Sequence, residues 1–395
     1  MRLAVFPHNI GWPSSQSPSG YATHGGIVLQ IGSLSELFEA TRVIILSSSS
    51  EKRSGEMPIK GHNLSVVPLS PLPRVVLWRR LSLFPWLLGN GARVVAEMAA
   101  ADAVFLLAPG EIGTLVLLLA LLLRKPLLVR YIINWSEPRT WVDRLEQRLL
   151  ERFAGGRNVI LATGQSDESP SPRNPDIRWI FSTTLTEEEL DAPPRALPCS
   201  GEFRLIIVAR QEVAKGTDLL LQSLALIRGE LPGISLDVVG EGSALPKFRQ
   251  LATELGVEDR VRFHGQVDHA EVLALLKRAH LYCLPTMGES FGKGVLEALA
   301  CGLPVITTAV SVFPELISTR CGVVLDERTP EQLAAAIRHC LADRGRYRQM
   351  STEAIAAARF YSLERWRDTI RGMLEEAWGP LAGSDAAKPR FRGQR

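Results

Sequence analysis

The sequence predicts an α/β protein of two Rossmann-like domains, each built on a parallel sheet. Three observations predict it. Apolar runs of strand length alternate with helical patterns through both halves of the chain, the pattern of consecutive βαβ units. Asp191 to Ser200 (DAPPRALPCS) carries three prolines and reads as the linker between the halves. In the second half the charged and Gly-rich turns follow strands, and open parallel sheets bind ligands at the carboxyl ends of their strands. A length of 395 residues suits two domains with sizeable cores.

Arg2 to Phe6 reads as the first strand. Pro7 to Tyr21, rich in Pro, Ser and Gly, reads as a mobile loop. A helix over about Gly26 to Phe38 and a strand at Val43 to Leu46 complete a unit that opens a Rossmann-like domain. Leu64 to Leu69 is a further strand. Strands at Ala103 to Ala108, Leu127 to Tyr131 and Val159 to Thr163 then alternate with helices at about Ala92 to Ala101, Ile112 to Leu122 and Thr140 to Phe153. Gln165 to Pro175 is a polar surface loop, and Ile177 to Phe181 the last strand of this half.

Pro71 to Leu88 interleaves Arg74, Arg79 and Arg80 with Trp78, Phe84 and Trp86. Basic and aromatic side chains on an apolar segment suit the interface of an anionic bilayer. Equally, the segment can be a loop that packs its aromatics on the domain. Pro85 is expected to interrupt any helix there.

The second half repeats the alternation regularly. Its strands are Leu205 to Ala209, Ser235 to Val239, Val261 to His264, Leu281 to Leu284, Val305 to Thr307 and Gly322 to Leu325, with helices between most of them. That predicts a parallel sheet with crossover helices. The candidate ligand groups all follow strands: Arg210 and Lys215 the first, Gly240-Glu241-Gly242 the second, Gly265-Gln266-Val267 the third and Glu289 the fourth.

The stretch Thr286 to Glu297 (TMGESFGKGVLE) carries the densest chemistry. A buried strand leads into a loop, and a helix from Lys293 is ended by Gly302. Free N–H groups at the start of a helix bind anions. Gly288, Gly292 and Gly294 let a ligand approach the backbone. Glu289 and Glu297 are carboxylates, which accept paired hydroxyl hydrogen bonds and so suit the vicinal diols of a ribose or a hexose. Arg210 and Lys215, across the first strand-to-helix turn, suit a diphosphate by charge and by hydrogen bonds.

RLIIVARQEVAKGTDLLLQSL, LDVVGEGSALPKFRQLATELGVEDRVRFHGQV and LYCLPTMGESFGKGVLEALACGLPVITT, in that order from about Phe203 to Asp326, resemble the donor half of glycosyltransferase family 4. The resemblance includes the paired glutamates at Glu289 and Glu297. It implies the GT-B fold, in which two Rossmann-like domains face a cleft: an acceptor domain at 1–192, with a closing helix near 362–378 packing back on it, and a donor domain at 193–361. It implies retaining transfer of a sugar from a UDP- or GDP-type nucleotide-diphosphate sugar to a glycan or lipid-linked acceptor, with no metal and no other cofactor. Arg210, Lys215 and Glu289 would then be catalytic, with Glu289 on the transferred sugar and Glu297 on the ribose. Ser290, Phe291, Gly292, Gly240, Gln266 and Val267 would complete the donor site, with the loop at Gly265 to Val267 meeting the base. Gly25, Gly26 and Asn134 would serve the phosphate or the acceptor, although the glycines can also be a simple turn. Trp135 is a candidate for stacking on a sugar, and both Asn134 and Trp135 can equally be ordinary loop residues.

Three stretches depart from the family pattern. Arg130 to Trp135 lacks the usual histidine, FSTT at 181–184 replaces a turn like Ile-Pro-Asn-Gly, and Val310 to Phe313 replaces Gly-Gly before Pro314-Glu315. The closing stretch holds an amphipathic helix for which Ser362 is a partial cap, since Arg365 stands where a capping box wants an acid or amide. The basic tail, 379–395, reads as disordered.

Composition excludes several classes. A net charge of +3 gives no footing for nucleic acid. The five cysteines are odd in number and lack a Cys-x-x-Cys pair, which fits reduced thiols in a cytoplasm and not a zinc site. MRLAVFPHNIGW reads as a strand entering a loop, unlike the apolar core of a signal peptide. The longest apolar run, Leu115 to Leu123, has nine residues, far short of the ~20 that span a bilayer. Cytoplasmic placement, with 71–88 at the inner face of the membrane in the bilayer reading, follows. No G-x-G-x-x-G follows the first strand of either domain, which disfavours a dinucleotide oxidoreductase. Another GT-B enzyme, such as an epimerase or a phosphorylase, and a binding-only member are the remaining alternatives.

Overall fold

The computed structural model describes residues 1–48, 56–71, 83–136, 138, 140–190, 193–199, 201–289, 291–317 and 320–381. Ser290, residues 72–82 of the basic-aromatic segment, parts of the linker (191, 192 and 200) and the tail from 382 lie outside them. The chain divides into two compact units, Met1–Ile180 with the chain from Trp366 onward, and Phe181–Arg365. That division comes before the linker expected at the prolines. Leu185, Leu190 and Leu197 already pack into the core of the second unit.

Unit 1 is built on a largely parallel sheet. Its central strands are β1 (Arg2–Phe6), β4 (Ala40–Ser47) and β7 (Ala103–Ala108), flanked by β6 (Leu64–Leu69), β8 (Leu127–Tyr131), β9 (Asn158–Thr163) and β10 (Ile177–Ile180). The order runs β10-β9-β8-β7-β1-β4, with β6 also on β4, so the sheet grows in opposite directions from β1. Every residue of β7 and β8 is buried, as expected for strands covered on both faces. Among them is Arg130, whose guanidinium donates to Gln30 and lies 5.8 Å from the Trp366 ring.

Several expectations for this half are corrected. The stretch read as a mobile loop contains β2 (Ile10–Pro13), which pairs antiparallel with β3 (Tyr21–Thr23), and β3 in turn pairs with β5 (Met57–Pro58). Trp12 anchors the ribbon: its ring is buried and its Nε1 donates to Glu56 at 2.9 Å. Pro85 does not interrupt a helix but lies in the first turn of α2 (Leu83–Ala100), where a missing N–H costs nothing. Trp86 is buried and donates Nε1–H to the Ser70 carbonyl at 2.8 Å, so this aromatic packs on its own unit. Between the strands run α1 (Ile27–Ser35), α3 (Glu111–Leu122) and α4 (Trp141–Phe153). Thr140 and Asp143 form a reciprocal capping box at α4.

Unit 2 holds β11 (Phe203–Val208), β12 (Ile234–Val239), β13 (Val261–Gly265), β14 (Leu281–Leu284), β15 (Val305–Thr308) and β16 (Gly322–Leu325). All are parallel, in the order β13-β12-β11-β14-β15-β16. The helices are α5 (Thr217–Ile227), α6 (Leu245–Glu254), α7 (His269–Arg278), α8 (Lys293–Ala300), the short α9 (Phe313–Leu316), α10 (Pro330–Leu341) and α11 (Arg344–Ala358). The order reverses between β11 and β14, which opens a crevice at their carboxyl ends. The last helix, α12 (Leu363–Trp378), starts with Ser362 Oγ accepting from Arg365 N at 3.0 Å. From Trp366 onward it is part of unit 1, where Trp366 is buried, Arg367 pairs with Glu36, and Glu376 pairs with Arg178 at 2.6 Å. Among the described residues no helix is long and apolar enough to cross a membrane.

Glu146 of α4 is fully buried, with Oε2 accepting from Gly110 N at 3.1 Å. Burial, reinforced by Asp143, pushes its carboxyl from 4.5 up to about 7. The folded state thus holds a proton that the unfolded chain releases at lower pH, and stability falls as pH rises from about 4.5 through about 7. Glu146→Gln is expected to flatten that fall and to raise stability at pH 8 by roughly 1–3 kcal/mol. Thermal unfolding from pH 5 to 8 checks it, and an unchanged slope in the variant would assign the fall to another group.

Candidate functional site

The crevice of unit 2 is lined by the turns after β11 and β14. The first turn holds a short 3-10 helix at Val213–Lys215 and then Gly216, which takes φ +82° ahead of α5. A Cβ on Gly216 would stand 2.4 Å from the Pro285 carbonyl oxygen, so only glycine lets the two turns touch. The contact is tied by Met287 N donating to the Ala214 carbonyl at 2.7 Å. Thr286, buried, donates Oγ1–H within reach of the Ala214 and Gly288 carbonyls. Arg328 adds Nε to the Pro285 carbonyl at 2.7 Å and Nη2 to the Val213 carbonyl at 3.2 Å.

This arrangement seats Lys215. The residue is 9% exposed, and its Nζ donates to Glu289 Oε2 at 2.8 Å and to the Gly288 carbonyl at 2.9 Å. Glu289 also lies against the start of α8, its Cγ 3.5 Å from where a Cβ on Gly292 would be. Gly292 takes φ +78°, and that Cβ would meet the Phe313 ring at 2.4 Å. Phe291 does not line the crevice with its side chain. Its ring is buried, 5.7 Å from Tyr361 and 6.4 Å from Phe181, and what it can present to a ligand is backbone.

Glu297 lies on α8 and is 8% exposed. Its Oε1 accepts from Thr184 Oγ1 at 2.9 Å and faces His269 Nδ1 at 3.5 Å. The other ring nitrogen of His269 faces Glu189 Oε1 at 3.5 Å. Glu189 first and Glu297 second push His269 up to about 10, against the opposing effect of burial. Tyr282, bonded to the Val208 carbonyl at 3.0 Å, is raised well above its ordinary range by burial, then by Glu297 and Glu289.

The remaining candidates fall less centrally. Arg210 is exposed and pairs with Glu212 at 3.0 Å. Gly240 takes φ +117°, and a Cβ there would stand 2.0 Å from the Ala209 carbonyl oxygen, so this glycine serves loop-to-loop packing. Gln266 is exposed, while Val267 is half-buried against the core. In unit 1, Gly25 takes φ +85° and Gly26 caps α1. Asn134 accepts from Ser136 N at 3.1 Å, a local turn. Trp135 is no stacking platform: it is buried edge-on against Tyr131, with centroids 4.8 Å apart.

Thr184, Glu189, His269 and Arg328 were missed from sequence. Only His269 left a signal: a basic residue opening a helix stands against the helix dipole and so calls for nearby acids. Among the described residues no group of three or more His, Cys, Asp and Glu side chains could hold a metal ion.

Residues 194–357 match the family described as glycosyl transferases group 1. That stretch lies within unit 2, and over it the chain is similar to members of that family. A D-inositol 3-phosphate glycosyltransferase of Segniliparus rotundus is 35% identical over 188 residues, 46% of this chain and 41% of that protein. A GDP-mannose-dependent alpha-(1-6)-phosphatidylinositol monomannoside mannosyltransferase of Mycobacterium tuberculosis is 34% identical over 193 residues, 47% of this chain and 48% of that one. The chain thus spans less than half the length of these curated relatives. Among solved structures, HepE of Anabaena, in complex with UDP and glucose, is similar at a TM-score of 0.69 and 18% identity, covering 94% of this chain and 99% of that one. Sucrose-phosphate synthase of Thermosynechococcus elongatus is similar at 0.70 and 18%, covering 95% and 98%. At such identity the likeness shows the fold, which is GT-B.

Gly216→Ala is expected to destabilise unit 2 by roughly 1–3 kcal/mol, since it forces a side chain into left-handed backbone against Pro285. Urea unfolding of the variant measures the loss, and wild-type stability would show that the two turns do not need to touch.

Proposed function

We propose that unit 2 holds a nucleoside diphosphate sugar, and that the chain passes the sugar to a hydroxyl acceptor with retention at the anomeric carbon. The observation that carries the reading is the nearly buried Lys215 paired with Glu289 at 2.8 Å, at the switch point of a parallel sheet. An ammonium here opposes the negative charge that grows on the diphosphate as the glycosidic bond breaks. The reading calls on that charge and on no metal ion. Glu289, at the start of α8, takes hydroxyls of the transferred sugar, with backbone N–H groups near Gly292 beside it. Glu297 takes the ribose diol. Arg210 joins the phosphates by leaving Glu212, an exposed pair that costs little to break. The leaving phosphate accepts the proton of the incoming hydroxyl.

The similar structures and relatives support UDP or GDP as the nucleotide, since HepE was solved with UDP and a relative is named for GDP-mannose. Relatives named for inositol phosphate and phosphatidylinositol acceptors support a glycan or lipid-linked acceptor in cell-surface assembly. Contact of the 71–88 segment with an anionic membrane belongs to that lipid-linked form of the reading.

Thermal unfolding against UDP, GDP, ADP and NAD tests the donor site. Ligand at about 100 times its dissociation constant adds about 2.7 kcal/mol of stability. A shift with UDP or GDP that Lys215→Ala abolishes is the expected result, with most transfer activity lost and the fold kept. A shift with NAD alone, or near-normal turnover in the variant, would overturn the reading. Release of free nucleoside diphosphate only when an acceptor is present separates transfer from epimerisation.

A further inference from the structure

We propose that His269 is a positioning residue for the nucleotide's ribose: lodged between Glu189 and Glu297, it fixes the Glu297 carboxylate in the orientation that grips a vicinal diol. This rests on the donor-site reading above and names a residue that reading does not contain.

The geometry is built from four segments of unit 2. His269 opens α7, Glu297 lies on α8, Glu189 lies on a 3-10 turn at Glu188–Leu190, and Thr184 precedes that turn. A carboxylate offers about four lone-pair sites. Thr184 takes one site on Oε1 at 2.9 Å, and the His269 Nδ1–H faces the same oxygen at 3.5 Å. Among the described residues no other group bonds this carboxylate. About two sites are left, the number that a 2′,3′-diol requires. Without the two donors the carboxylate would be free to turn about its own side chain. With them it is presented in one orientation before the ligand arrives, which lowers the ordering cost of binding.

A cation at this place needs a reason. The start of α7 carries the positive end of the helix dipole, which disfavours an imidazolium. Asp268, whose side chain caps the helix by accepting from Glu271 N at 2.8 Å, and Glu271 supply negative charge on the same element. Across from it stand Glu189 and Glu297, and behind Glu297 lies the neutral Tyr282. The two facing acids outweigh the dipole and hold the ring charged, with a value pushed up to about 10. Because the folded value lies above the ordinary 6.5, the stabilisation is complete below about 6.5 and is lost as pH rises through about 10. Over that climb the bridge between two carboxylates becomes a neutral ring, and Glu297 is released toward repulsion with Glu189.

The test is calorimetric titration of the full chain with UDP, GDP, their 2′-deoxy counterparts and inorganic pyrophosphate, near pH 7 and near pH 9.5. The proteins are wild type, His269→Gln and Glu189→Gln. In His269→Gln, affinity for the ribonucleotide falls about tenfold, the preference for ribose over deoxyribose shrinks by the same factor, and pyrophosphate binds as in wild type. In Glu189→Gln, whose ring is intact but less strongly held as a cation, the alkaline loss of affinity moves to lower pH. An unchanged ratio of ribose to deoxyribose in both variants overturns the role of His269 while leaving the donor site standing. Equal loss for pyrophosphate also overturns it, since that marks a general disturbance of the crevice. A wild type that binds none of the nucleotides overturns the donor-site reading itself. If His269→Gln does not fold, the pH profile of Glu189→Gln decides alone.

Discussion

Lys215 brings a positive charge into a position that is almost closed to solvent, and a charge there has to be met by another charge or by oriented dipoles. Glu289 and the Gly288 carbonyl meet it. Both belong to the turn after β14, whereas Lys215 belongs to the turn after β11, so the pair exists only if the two turns meet. That requirement accounts for much of the surrounding sequence. Gly216 has no side chain because Pro285 occupies the space, Thr286 is buried because its hydroxyl bridges the two turns, and Arg328 reaches in to hold two of their carbonyls. Breaking the pair by removing one partner leaves a poorly solvated charge, a larger penalty than the pair itself is worth.

The same pair explains how the crevice can be stable and yet ready for an anion. In the proposed reading a diphosphate would bring two negative groups to an ammonium already desolvated and already aimed, so little reorganisation would be needed on binding. On the proposed donor reading, Glu289 would exchange its bond to Lys215 for sugar hydroxyls, so neither group is left without a polar partner. Glu297 is treated differently. It is held by Thr184 and His269 and not by Lys215, so on the proposed reading the arriving phosphates would leave it in place. In that reading phosphate and ribose fall to two polar clusters, and Glu289 of one and Glu297 of the other both act on Tyr282.

The parallel strands of unit 2 were legible because they are short, apolar on both faces and bounded by turns, and Leu281–Leu284 and Gly322–Leu325 match to the residue. Lys215 and Glu289 were legible for the same reason, since topology sends both to one sheet edge. Side-chain direction was not legible. Phe291 and Trp135 stand beside candidate groups in sequence, but large rings are drawn into the core, and both are buried there. The ribbon at 10–23 was hidden because Gly, Ser and Pro predict loops, while what orders it is distant: bonds from Trp12 and Ser14 to Glu56, from Ser17 to the Ile59 carbonyl, and pairing with β4 and β5. His269 was hidden because the acids that explain it lie 80 residues before it and 28 after, at Glu189 and Glu297.

Two of the departures from the family pattern turn out to be linked to the site itself. FSTT at 181–184 puts a hydroxyl at Thr184, and that hydroxyl is the short hydrogen bond on Glu297. A turn rich in Asn and Gly would have given flexibility there, where Thr184 gives a β-branched side chain with few rotamers and a fixed donor. Val310 to Phe313 replaces a pair of glycines with bulk, and the Phe313 ring fills the space over Gly292. The residue before α8 is thereby confined to glycine, and the freed N–H groups at that helix start keep one geometry. Each of these two departures replaces backbone freedom with a side chain that braces a group the proposed reading gives to the ligand. Both braces lie within unit 2, Thr184 bonded to Glu297 and Phe313 against Gly292.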